Sequence, residues 1–236
     1  MAHRGGASEA PENTLPAFQR AVDLGYRYLE TDVHATADDV VVAFHDDVLD
    51  RVTDRSGRIA DLPWAEVRAA RIDGTGIPLL EDILGTWPEV RVNIDAKADR
   101  AVAPLADVIE RCGAHDRVCV GAFSDRRLAE VRRLTRGRVC TTVGPVAVTR
   151  LRVASLGIPL GRVAGACVQV PVRRGPVPVA DRRFVASAHG LGLPVIVWTI
   201  DEATEMERLL DLGVDGLMTD RPAVLKEVLV RRGQWV

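Results

Sequence analysis

The chain has 236 residues, 47% of them hydrophobic, which is enough for an extensive core and for one barrel-sized domain. Its 31 basic and 33 acidic residues leave a formal charge of -2, so no overall field gathers nucleic acid or an acidic membrane surface, and a small ligand recognised locally is expected. No apolar run reaches the length of a membrane span and no signal-type apolar region follows Met1, which predicts a cytoplasmic protein without stable membrane insertion.

Short β-branched runs alternate with longer amphipathic stretches, the pattern of repeated βα units around a parallel sheet. A strand over Met1–Arg4 is followed by a helix over Thr14–Leu24 and a strand over Tyr28–Val33. The helix carries an N-terminal cap at Thr14, an early Pro16, an apolar stripe of Leu15, Phe18, Ala21 and Val22, and a stop at Gly25. An extra strand-like run, Val40–Phe44, and a polar interval from His45 to Leu62 then break the rhythm. They predict a small insertion at about residues 45–78, ahead of the helix that includes Leu79–Leu84 and over a barrel mouth where βα loops carry chemistry.

Beyond it, strands are expected over Val90–Asp95, Val118–Phe123, Val139–Val143, Ala166–Val170, Pro194–Thr199 and Gly216–Thr219. Helices are expected over Ala101–Cys112, Asp125–Thr135, Asp181–Gly190, Asp201–Leu212 and Ala223–Arg231, with Asp201 as a helix cap and Gly213 as a stop. Eight strands in this order predict a closed α/β barrel, its first strand short because only two residues precede His3. Gly5-Gly6 is read as a sharp turn after that strand. Cys112, Cys119, Cys140 and Cys167 are widely spaced, without a CxxC pair or a zinc-type pattern, so reduced and mostly buried thiols are expected.

Chemistry-bearing residues fall at the ends of the strands. Glu30 and Asp32 are two apart, so on a strand both carboxylates face the barrel interior, and Asp95 ends another strand. Inward carboxylates repel unless a cation lies among them, and all-oxygen ligation favours one divalent ion, Mg²⁺ or Ca²⁺. His3 and His45 end strands beside these acids and suit a general acid-base pair. Lys97 and Lys226 are the only lysines; Lys97, two residues past Asp95, and Arg4 suit phosphoryl oxygens. Trp198 offers an apolar wall and Gln169 a polar contact. His34, His115 and His189 are read as structural.

The motifs His3-Arg4-Gly5, Pro11-Glu12-Asn13-Thr14, Glu30-Thr31-Asp32, His45-Asp46, Trp198-Thr199, Gly213-Val214-Asp215-Gly216 and Thr219-Asp220-Arg221-Pro222 occur in an order that resembles the glycerophosphodiester phosphodiesterase family. The resemblance implies a TIM (β/α)8 barrel with a small insertion, hydrolysing glycerophosphodiesters to glycerol 3-phosphate and an alcohol with a divalent metal. It implies His3 and His45 as acid and base, Glu30, Asp32 and Asp95 as metal ligands, Arg4 and Lys97 as phosphate contacts, and Glu12 and Asn13 as residues behind the site. The first nucleophile is either water or the substrate's own glycerol hydroxyl. Two positions depart from the pattern: Asp95 stands where the family usually has glutamate, and Asp201 where it often has asparagine. Two other readings share this barrel, a lysophospholipid-directed phosphodiesterase and a catalytically silent scaffold.

Overall fold

The computed structural model describes residues 1–157 and 163–235. In chain order its elements are α1 (Leu15–Asp23), β1 (Tyr28–Ala35), β2 (Val41–Ala43), α2 (Trp64–Val67), β3 (Arg71–Ile72), β4 (Thr75–Gly76), α3 (Leu80–Thr86), β5 (Arg91–Ala96), α4 (Val102–Arg111), β6 (Val118–Gly121), α5 (Asp125–Leu134), β7 (Cys140–Thr141), α6 (Pro145–Ala154), β8 (Val168–Pro171), β9 (Arg173–Arg174), β10 (Val177–Pro178), α7 (Arg182–His189), β11 (Val195–Trp198), α8 (Ala203–Leu212), β12 (Gly216–Leu217) and α9 (Pro222–Arg231).

Strands β1, β5, β6 and β7 pair in parallel, as do β8, β11 and β12. Two seams close these arcs into a ring. Thr142 bridges Cys167, and Ala2 bridges both Leu29 and Thr219, so eight parallel staves surround one interior in a TIM barrel.

The period-two alternation of strands sorts the side chains. Leu29 and Val33, Val92 and Ile94, Val118 and Val120, Val168 and Val170, Val195 and Val197 join Phe18, Leu105, Phe184 and Leu209 in the main apolar core between sheet and helices. Each such aliphatic side chain contributes about 1.5–3 kcal/mol by leaving water. Their neighbours in sequence, Glu30, Asp32, Asn93, Asp95, Gln169 and Trp198, therefore point the other way, and all of them line one cavity.

The strand expected over Met1–Arg4 is not one: only Ala2 bridges, and His3–Gly5 forms a 3-10 turn. Arg4 (φ 50°), Gly5 (φ 84°) and Gly6 (φ 104°) turn the chain back on itself. A Cβ on Gly5 would sit 2.8 Å from that of Ala17, so the turn packs directly on α1. The α1 cap is as expected, with Thr14 Oγ1 accepting from the Ala17 amide at 3.3 Å. Asp201 is not a helix cap; the cap position of α8 is Glu202, which makes no side-chain capping bond. Helix α6 has no counterpart among the expected elements, because only Leu151 of its ten residues is buried and the sequence shows no clear apolar stripe.

After β2, which pairs antiparallel with β1, the chain makes an excursion through a 3-10 turn at Ile59–Asp61, α2 and the β3–β4 hairpin. Val42, Phe44, Leu49, Ile59, Val67, Ile72 and Ile77 form a separate apolar cluster there, which holds His45 at the edge of the barrel mouth.

Candidate active site

His3, Arg4, Glu30, Asp32, His45, Asp95 and Lys97 line a single cavity of about 570 Å³, together with Gln169 and Trp198. They come from the first stave, β1, the segment after β2, β5, β8 and β11, so the barrel gathers residues far apart along the chain.

Each imidazole has a carboxylate behind it. His3 Nδ1 lies 2.6 Å from Asp220 Oδ1, and its Nε2 lies 3.8 Å from Glu30 Oε2. Asp220 is itself anchored: its amide donates to Asp201 Oδ1 at 2.8 Å, and the Thr219 hydroxyl donates to the same oxygen at 3.0 Å. This is the place Asp201 takes instead of a helix cap. Burial alone would depress the His3 pKa, but the bond to Asp220 and the nearby Glu30 outweigh it and raise the imidazole above its ordinary value.

His45 Nδ1 lies 2.6 Å from Asp46 Oδ1, and Arg51 donates to both Asp46 and Glu12. That bond from Arg51 holds the Asp46 carboxyl down at about 2. His34, buried on β1, sits 3.1 Å from the His45 carbonyl and is kept below its usual pKa by burial.

The acids are tied to the cations. Lys97 Nζ stands 3.1 Å from Asp32 Oδ1 and 3.2 Å from Asp95 Oδ2. Arg4 Nε is 3.0 Å from Asp32 Oδ2, the Arg4 guanidinium donates to Glu12, and its amide donates to Glu30 Oε2 at 3.1 Å. Asn13, at φ 55° and fully buried, donates to Asp32 while accepting from the Thr31 hydroxyl. Burial pushes Asp32 up, but Lys97 and Arg4 more than offset it and leave the carboxyl below its ordinary value. Glu30 has the His3 ring at 3.8 Å and the Arg4 amide beside it, but burial together with the neighbouring Asp32 charge outweighs both and pushes it up to about 8. Asp95 is likewise raised by burial, against the pull of Lys97.

This donor set fits a hard divalent cation in its chemistry, since three carboxylates, Glu30 and Asp32 buried and Asp95 half-buried, face one cavity. The acids stand apart rather than pre-clustered, with the Lys97 ammonium between Asp32 and Asp95. Among the described residues, the trio of potential ligand groups whose atoms lie within 4.8 Å of one another is instead Cys119, Cys140 and Cys167. The four thiols are free, as expected, but Cys112, Cys119 and Cys140 are half-buried rather than buried, and linear spacing says nothing about strands that neighbour one another in the barrel.

Gln169 Nε2 donates to Asn93 Oδ1 at 2.7 Å, and Trp198 packs edge-on against Phe123 at 5.7 Å between ring centroids. Glu12 and Asn13 lie behind the cavity wall, bonded to Arg4 and Arg51 and to Asp32 respectively. Sequence reasoning gave no role to Asp220 or Arg51, and Phe123, expected in the core, is instead 68% exposed at the cavity. Asp220, three residues beyond the last short strand, carried a signal in its position at the mouth; Arg51 carried none.

The model of the glycerophosphoryl diester phosphodiesterase family matches residues 3–224. A probable glycerophosphodiester phosphodiesterase of Mycobacterium tuberculosis is 45% identical over 245 residues, spanning 100% of this chain and 92% of its own. A lysophospholipase D of Rattus norvegicus is 28% identical over 97% of this chain and 85% of its own length. Among solved structures, a glycerophosphoryl diester phosphodiesterase from Silicibacter pomeroyi superposes with a TM-score of 0.84 at 23% identity, covering 100% of this chain and 94% of that one. A phosphodiesterase from Oleispira antarctica, solved with its product sn-glycerol-3-phosphate, superposes at 0.82 and 23% identity over 97% and 95%. The extent of the family match and the whole-length similarity agree, and the chain belongs to the glycerophosphoryl diester phosphodiesterase family.

Proposed function

We propose that this site hydrolyses glycerophosphodiesters to glycerol 3-phosphate and an alcohol, with His3 and His45 as the proton-transfer pair. The observation that carries the reading is the meeting of both imidazoles, three carboxylates and two cations around one cavity. With Asp220 and Asp46 accepting from the Nδ1 positions, each ring keeps Nε2 free for proton transfer. One ring takes the proton from the attacking hydroxyl while the other protonates the leaving alcohol, each contributing roughly a hundredfold or more. Arg4 and Lys97 present permanent charge to the phosphoryl oxygens. Glu30, Asp32 and Asp95 would hold one divalent cation, Mg²⁺ or Ca²⁺, which when bound supplies further charge for the phosphoryl group. One domain carries all of this, with residues 45–78 as an insertion that brings His45 to the mouth.

The test is release of glycerol 3-phosphate from glycerophosphocholine, assayed with Mg²⁺, Ca²⁺ and Mn²⁺ in turn. Folded His3→Ala and His45→Ala variants are expected to lose at least about a hundredfold in kcat. Wild-type turnover in both would overturn the reading, and turnover untouched by a chelator would remove the metal from it.

A lysophospholipid substrate is the second reading, favoured by the apolar side of the cavity: Phe123 is 68% exposed and stands with Trp198, Val148, Pro171 and Val179 around the mouth. Turnover of lysophosphatidylcholine against glycerophosphocholine separates the two, and Phe123→Ser lowers only the former if an acyl chain lies on that wall.

A further inference from the structure

Three of the four cysteines converge on consecutive staves of the barrel. Cys119 in β6 stands opposite Cys140 in β7, and Cys167 precedes β8, bridged to Thr142 two residues beyond Cys140. Cys119 Sγ is 3.2 Å from Cys140 Sγ and 3.8 Å from Cys167 Sγ, and all three sulfurs lie within 4.8 Å of one another. Cys167 is buried and the other two are half-buried; Cys167 and Cys119 pack with Met1, Ile196, Trp198 and Met218. The fourth cysteine, Cys112, follows α4 and takes no part.

We propose that Cys119, Cys140 and Cys167 form a second metal site, for a thiophilic d10 cation, Zn²⁺ or Cu⁺, distinct from the carboxylate site. A zinc–thiolate bond of about 2.3 Å in tetrahedral geometry puts neighbouring sulfurs roughly 3.8 Å apart, which is the Cys119–Cys167 spacing. Three protein ligands leave one position for a further ligand in a tetrahedral ion, or complete the shell of a trigonal one. Ligand softness sorts the two sites, since thiolates select Zn²⁺ or Cu⁺ while carboxylates select Mg²⁺ or Ca²⁺. Free of metal, the sulfurs share hydrogen bonds: those to Cys140 and Cys167, with burial, hold the Cys119 thiol well above its ordinary range, whereas Cys140 is lowered by the bonds from its two neighbours. An entering cation displaces the remaining protons, so its uptake is accompanied by proton release. Cys119 and Cys167 each lie two residues before a cavity-lining position, Gly121 and Gln169, so a bound ion ties three staves together directly beneath the substrate cavity.

The full chain, reduced and stripped with a chelator, is titrated with Cd²⁺ as a spectroscopic stand-in, followed by the thiolate-to-metal charge-transfer absorption, with Zn²⁺ and Cu⁺ as competitors and excess Mg²⁺ present. The expected result is one saturable equivalent, displaced by Zn²⁺ or Cu⁺, lost in Cys119→Ser and Cys140→Ser, and kept in Cys112→Ser and Asp32→Asn. Because a serine variant can fail to fold, iodoacetamide labelling of the unaltered protein gives a second readout: Zn²⁺ slows alkylation of Cys140 and not of Cys112. Absence of a saturable band, its survival in the Cys119→Ser/Cys140→Ser double variant, or disulfide formation in place of metal uptake overturns the proposal.

Discussion

Asp220 and Asp46 set what their histidines can do, because a carboxylate at Nδ1 fixes the ring's orientation and tautomer. The raised pKa of His3 comes chiefly from its bond to Asp220, against burial. Asp220→Asn is therefore expected to lower kcat by up to about a hundredfold through misplacement of the ring, and to move the His3-dependent limb of the pH–rate profile toward acid. An unchanged profile in a folded variant would show that Asp220 only packs. Asp201 supports the same group from further away, through Thr219 and the Asp220 amide, so Asp201→Ala repeats the effect in weaker form. That Glu30 and Asp32 face the cavity was legible in their period-two spacing, whereas His3 reaches it from a 3-10 turn and not from the strand end expected; Asp201 was misread because an acidic residue before a helix is ordinarily a cap.

The first stave is the element on which His3 and Arg4 depend, and it is held by two bridges at Ala2 and a tight turn rather than by a strand. Gly5→Ala places a Cβ 2.8 Å from that of Ala17 at φ 84°, where L side chains are strained. The expected outcome is a loss of at least about 1 kcal/mol, read as a lower Tm, together with a fall in kcat as the turn shifts. Thr14→Ala, which removes the α1 cap, costs about 1 kcal/mol or roughly 2–4 °C of Tm and leaves kcat nearly intact. A normal Tm in Gly5→Ala would contradict the packing of the turn on α1. Strand length was the part of this element that sequence reasoning overextended: the Gly5-Gly6 turn was legible, but nothing in the sequence marks that the bend already begins at Arg4.

At the scale of the molecule, the alternation of apolar runs sufficed for the barrel and its cavity, because each stave exposes one face to the helices and the other to the interior. Closure across Thr142 and Cys167 was not legible, and with it the meeting of three thiols, because lateral register between staves leaves no mark in linear spacing. The interior also makes the whole fold sensitive to pH. Glu30, ordinarily titrating near 4.5, is pushed up to about 8 by burial and by Asp32, so the folded state binds a proton that the unfolded chain has already lost. The Glu30 contribution to the stability of the metal-free protein is then fully present below about 4.5 and is lost as pH rises toward 8, with Asp95 shifted in the same direction. Glu30→Gln removes most of that slope. A divalent cation on the carboxylates replaces the proton, so Mg²⁺ or Ca²⁺ restores the urea midpoint at the alkaline end, by about 2.7 kcal/mol at a hundredfold excess over Kd. Urea melts between pH 4.5 and 8, with and without chelator, decide the matter: a metal-free midpoint that climbs with pH, or one indifferent to both cations, contradicts a buried Glu30 poised to share a cation with Asp32 and Asp95.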